Sequence, residues 1–120
     1  MPKPESIKHK ILKEKIYQYF KEKGYDVYKE YIIDRKIIDV VAIKETEKIL
    51  IECIAKKGIN ETFNKLMKLK EKYPTLNCII CRFFKERNPI SNKIINNIKS
   101  NGIQFIEFND IDIIDIISYK

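Results

Sequence analysis

Three features of the chain predict an α/β fold, a mixed β-sheet of about five strands flanked by helices in the order αβββαβαβα. Apolar residues first recur at helical spacing, and three strand-like segments then follow with connections short enough to make antiparallel neighbours. A helical stretch separates the third strand from the fourth, and such a crossover makes that pair parallel.

From Glu5 to Lys23 the apolar residues Ile7, Ile11, Leu12, Ile16, Tyr19 and Phe20 mark one face of an amphipathic helix, and Gly24 supplies its stop. Strands are predicted over Tyr25 to Ile33, Ile37 to Lys44 and Lys48 to Lys56, forming a meander. Helical periodicity returns from Asn60 to Lys72, with Phe63, Leu66 and Met67 on one face and Pro74 beyond the end. Asn77 to Phe84 reads as a buried strand. Ser91 caps a third helix carrying Ile94, Ile95 and Ile98 until Gly102, after which IQFIEF is a fifth strand and DIDIIDII a short closing helix.

A chain of 120 residues is one domain by the usual size relation, spanning residues 1–120. Lys and Arg outnumber Asp and Glu 24 to 17, a net charge of +7, which favours a polyanionic partner. Nearly all of that charge is lysine, a point charge suited to phosphate backbones rather than to reading base edges. The same lysine, isoleucine and glutamate enrichment also follows from a hot habitat or an AT-rich genome. Three cysteines are too few for a disulfide framework or a four-ligand zinc site, so a reducing compartment is expected. Cys78 and Cys81 spell C-x-x-C within an apolar strand, where alternation sends the two thiols to opposite faces, as core packing requires. With no signal-peptide core in MPKPESIKHK and no segment long enough to span a bilayer, the cytoplasm is the expected location.

The stretch IIDVVAIKETEKILIECIAKK buries one acid in each of two apolar runs, Asp39 and Glu52. A lone carboxylate in such a run costs several kcal/mol unless it is compensated. A hairpin through Lys44 to Lys48 brings the two acids side by side, where they repel each other unless a cation sits between them. Oxygen ligands of this kind suit Mg2+ or Mn2+, which bind through one or two carboxylates together with water and substrate phosphate. Asp39 also has a plainer reading, as a polar hairpin residue satisfied by backbone donors.

With these residues in view, IIDVVAI followed by ILIECIAKK resembles the metal-binding hairpin of the PD-(D/E)xK nuclease superfamily, whose restriction-endonuclease-like fold includes Holliday junction resolvases. The superfamily core of helix, three strands, helix and strand maps onto roughly residues 5–84. The resemblance implies a three-layer fold, metal-dependent hydrolysis of phosphodiesters, DNA ahead of RNA, with Asp39 and Glu52 on the metal, and paired subunits. It also implies a lysine two residues after the second acid, where this chain has Ile54. Lys56 is the expected substitute, since alternation puts Glu52, Ile54 and Lys56 on one face, about 7 Å further along the strand. A catalytically inactive nucleic-acid-binding or assembly module with the same fold is the alternative.

Other residues bear on that site. Glu5 and His9 fall on the apolar stripe of the first helix and face inward; by the resemblance Glu5 is a further metal ligand, and His9 contacts a phosphate or shuttles a proton. Glu5 as a solvated acid and His9 as a satisfied rim residue are the bland readings. Glu30 shares a strand face with Tyr28 and Ile32 and approaches Asp39 across the first hairpin, a third ligand or an acid open to solvent. Lys57, Lys65 and Lys68, extended by Arg82, Lys85 and Arg87, make the expected nucleic-acid surface, although lysines on a second helix are most often its solvated face.

Overall fold

A computed structural model describes residues 7–54, 58–83 and 90–108. Eight elements follow one another: α1 (Ile7–Glu22), β1 (Asp26–Ile33), β2 (Lys36–Lys44), β3 (Glu47–Cys53), α2 (Ile59–Lys72), β4 (Asn77–Phe83), α3 (Asn92–Ser100) and β5 (Ile103–Phe108). The five strands form one sheet in sequence order, β1 to β5. The first three run antiparallel, and β4 and β5 then add in parallel, because α2 and α3 carry the chain back between strands.

Local chemistry explains the boundaries. α1 stops in a Schellman turn: Gly24 holds φ +89°, the Gly24 N–H donates to Lys21 O, and the Tyr25 N–H donates to Phe20 O. The Tyr25 and Phe20 rings close that turn edge to face, 5.3 Å apart. Two residues, Asp34 and Arg35, join β1 to β2 with φ +49° and +67°, the paired positive values that match a hairpin's twist. Ser91 Oγ accepts the Ile94 N–H and so caps α3.

Helices cover both faces. On one, Leu12, Ile16, Tyr19 and Phe20 of α1 pack on Val27, Val40, Ala42, Ile49, Ile51 and Ile79. On the other, Leu66 and Leu69 of α2 and Ile98 of α3 pack on Ile38, Val41, Leu50, Ile80, Ile103 and Phe105. Cys78 and Cys81 lie in different layers, as alternation requires. The mixed α/β sheet flanked by helices is thus the architecture expected. β3 is shorter than its apolar run suggests, ending at Cys53 rather than Lys56. Residues 55–57 and the expected closing helix lie outside the described residues, and no described helix is long and apolar enough to cross a membrane.

Candidate functional site

The first hairpin contains an interruption that its sequence pattern does not announce. Pairing of β1 with β2 runs from Asp26↔Ile43 to Lys29↔Val40 and resumes in the same register at Tyr31↔Ile38, leaving Glu30 and Asp39 facing each other in the gap. Glu30 sits there at φ +53°. Both strands change face at this point: Ile38 belongs to the α2 layer and Val40, two residues on, to the α1 layer. Lys29 and Glu30 consequently both reach α1, the first bonded to Glu14 and the second to Lys13 Nζ at 2.5 Å. An irregularity of this kind re-aims side chains, and here it turns Asp39 toward α1.

Asp39 is 5 % exposed. Its Oδ2 accepts the Cys53 N–H at 2.8 Å and lies 3.3 Å from His9 Nε2 on α1. The next amide, Ile54 N–H, donates to Cys81 O of β4, so in alternation the Cys53 N–H faces β2. There the Asp39 carboxylate takes the place of a ladder carbonyl.

Glu52 is fully buried and turns toward α2, where Lys65 Nζ lies 2.8 Å from its Oε1. The same ammonium donates to Ile37 O at the start of β2 at 2.9 Å, so it ties α2 to both strands. Asp39 and Glu52, expected side by side, thus turn to opposite layers, and only their charges meet, at Cys53. Its thiol is pushed well above the usual range by a hydrogen bond with Cys81, by burial, and by the charges of both Asp39 and Glu52. Cys81 Sγ stands 3.7 Å from Cys53 Sγ and also contacts Glu52 O at 3.6 Å.

His9, expected to face inward from α1, meets Asp39 there, but the cations are distributed differently. Lys65, expected on a solvated nucleic-acid surface, faces inward to Glu52. Arg82, expected to extend that surface, is 8 % exposed and bonds Glu107 Oε2 through Nε at 2.8 Å, because strand β4 is covered on both faces. Glu30 shares its side with Lys29 rather than with Tyr28, whose ring instead meets Tyr31 at 5.5 Å. Lys68 is exposed on α2. Glu5, Lys56, Lys57, Lys85 and Arg87 lie outside the described residues.

Sequence reading missed Lys13, 5 % exposed, and the inward turn of Lys65. A signal existed for both. Lys13 follows His9 by one helical turn on the stripe that includes Leu12 and Ile16, and Lys65 falls among the buried Thr62, Leu66 and Leu69 of α2.

No family model and no curated protein matches this chain. A solved structure does. It is the crystal structure of AF1548, a protein of unknown function, at 19 % identity and a TM-score of 0.60 over 81 % of this chain. The likeness is one of fold alone, and this chain matches 56 % of that one's length.

Among the described residues no group of three or more His, Cys, Asp or Glu gathers as a metal cluster. A hard dication takes oxygen ligands such as these two carboxylates, but with Asp39 turned toward α1 and Glu52 toward α2, holding one ion between them requires a side chain to turn. Such an ion meets competition from the ammonium of Lys65.

Proposed function

We propose that this chain is a divalent-metal-dependent nuclease, a member of the PD-(D/E)xK superfamily acting on DNA ahead of RNA. The observation that carries this reading is the buried Glu52–Lys65 pair beside the capped Asp39. The chain has Ile54 where the resemblance implies a lysine, and α2 supplies an ammonium 2.8 Å from the second acid instead. In this reading Lys65, rather than Lys56, is the basic residue of the site.

Asp39 and Glu52 would hold Mg2+ or Mn2+, which supplies Lewis acidity at the scissile phosphate. The protein's own groups then have separate tasks. The Cys53 amide fixes the Asp39 carboxylate in one orientation. His9 Nε2, 3.3 Å from that oxygen, is placed to pass a proton to or from it. Lys65 balances the charge of Glu52 and, when a metal replaces it there, has a four-carbon stem with which to meet a phosphate oxygen. Three free cysteines, two of them adjacent yet unbonded, support a reducing compartment such as the cytoplasm.

A second reading is favoured by the same pair seen as a finished contact: Glu52 already has a cation, and Asp39 an amide and an imidazole. The fold then serves as a nucleic-acid-binding or assembly module without hydrolysis. Incubation of supercoiled and linear DNA with Mg2+ or Mn2+ separates the two. Cleavage by the wild type that is lost in Asp39→Asn and Glu52→Gln, both still folded, supports the nuclease. Salt-sensitive binding without cleavage under either ion establishes the module.

A further inference from the structure

A cleft unrelated to the acidic pair opens between the β1–β2 hairpin and the C-terminal end of α2. We propose that it binds single-stranded nucleic acid, stacking bases on Tyr31 and Tyr73, a proposal that rests on the nucleic-acid partner of the preceding reading and not on its chemistry. The cavity has a volume of about 460 Å³ and is lined by Tyr31, Ile33, Asp34, Lys48, Tyr73 and Leu76. Tyr73 is 37 % exposed at its rim, and the Tyr28 ring, 45 % exposed, continues the aromatic surface 5.5 Å from Tyr31.

Lysines accompany the rings. Lys48 Nζ stands 5.8 Å from the Tyr31 ring centroid, and Lys72 Nζ 5.6 Å from that of Tyr73. Lys72 also pairs with Asp34 at 3.0 Å, and Tyr73 OH donates to the same carboxylate at 3.1 Å, which fixes the ring at the edge of the cleft. Lys36 adds its positive charge beside Asp34. Lys48 and Asp34 line the cleft, and because Lys72 and Lys36 both stand by Asp34, the lining carboxylate is neutralised and the surplus charge at the rim is positive, complementary to an anion. Flat apolar walls between these lysines suit a ligand that alternates rings with phosphates.

The duplex form of that ligand is the wrong shape. Its bases hide their faces from one another, whereas a recessed tyrosine needs a base that has left the stack. When a base takes the ring face, a flexible lysine stem swings aside and keeps its ammonium beside the flanking phosphate. Tyr31 neighbours Glu30 in the chain and pairs with Ile38, the residue before Asp39, so the cleft is built on the same hairpin as Asp39 while opening in the other layer.

The test is fluorescence anisotropy with labelled oligothymidylate at low salt in EDTA, where no metal-dependent cleavage interferes. Tyr73→Leu and Tyr31→Leu should each weaken binding about 5- to 100-fold, while Tyr73→Phe and Tyr31→Phe, which keep the ring, bind as wild type. Lys48→Ala should lower the slope of log affinity against log salt by about 0.7. Tyr31 packs partly on the core, so Tyr73→Leu, at the rim, decides the matter should Tyr31→Leu unfold. Unchanged binding in Tyr73→Leu, a preference for duplex, absence of binding, or self-association of the wild type that Tyr73→Leu abolishes would each overturn the proposal. Cleft-dependent binding without cleavage under any divalent ion leaves this site standing and removes the nuclease. Cleavage at wild-type KM in Tyr73→Leu does the reverse.

Discussion

Lys65 and Glu52 meet at 2.8 Å with the lysine side chain 21 % exposed and the carboxylate sealed at 1 %. An ion pair so placed is destroyed unequally by its two deletions. Lys65→Met leaves a buried carboxylate without its counter-charge and should cost about 3–5 kcal/mol in chemical denaturation, whereas Lys65→Met with Glu52→Gln should recover most of that loss. A single-variant cost below about 1 kcal/mol, the range of exposed pairs, would show that water reaches Glu52.

In the proposed nuclease the same pairing would set the response to metal. Since the ammonium and a dication compete for one carboxylate, Lys65→Met should bind Mn2+ more tightly than wild type in calorimetric titration, although it cleaves DNA more slowly. Asp39→Asn should lose Mn2+ binding while retaining the fold. Equal Mn2+ affinity in wild type and Lys65→Met would mean that the ion does not sit at Glu52.

Alkaline pH should weaken the fold through its thiols. Burial pushes Cys78 up to about 11, against an ordinary value of about 8.5. Between those values the unfolded thiol ionises while the native one keeps its proton, so stabilisation that is complete below about pH 8.5 is lost as pH rises toward 11. The loss is about 3 kcal/mol for this group, and Cys53, also raised, steepens it. Denaturation curves from pH 8 upward test this, with Cys78→Ala expected to flatten the decline. At neutral pH all three buried thiols should resist thiol reagents until denaturant is added.

Arg35 holds φ +67° in the first hairpin, a conformation in which a side chain costs about 1–2 kcal/mol and glycine almost nothing. Arg35→Gly should raise the unfolding free energy by about 0.5–1 kcal/mol after the extra flexibility of the unfolded chain is deducted. Asp34→Gly, at φ +49°, removes the same strain together with contacts to Lys72 and Tyr73, so its benefit should be smaller. Thermal melts of both variants compare the two effects directly.

Much of this was legible in the residues. Helical spacing and Gly24 mark α1, short polar connections mark the hairpins, and three-residue spacing places Cys78 and Cys81 in opposite layers. The runs around Asp39 and Glu52 place the two acids on neighbouring strands but do not reveal that their side chains turn to opposite layers. What alternation conceals is the change of face between Ile38 and Val40, because it depends on a positive φ at Glu30, a residue with no intrinsic leaning toward that conformation. The inward turns of Lys13 and Lys65 are only half legible: helical spacing puts both beside apolar positions, but a long cationic stem covers apolar surface equally well from a solvated or a buried position, and only its partner decides which.

Strand order equal to chain order carries a further consequence. Each ribbon of the sheet finds its neighbour already synthesised, so a nascent chain leaving the ribosome can build from β1 outward with no wait for a distant segment. Asp39 and Glu52 both have their partners once α2 has docked, and β4 and β5 arrive afterwards as a brace along the far side. Vectorial growth of this kind ends on β5, whose outer edge is the last to form and the first expected to fray under tension.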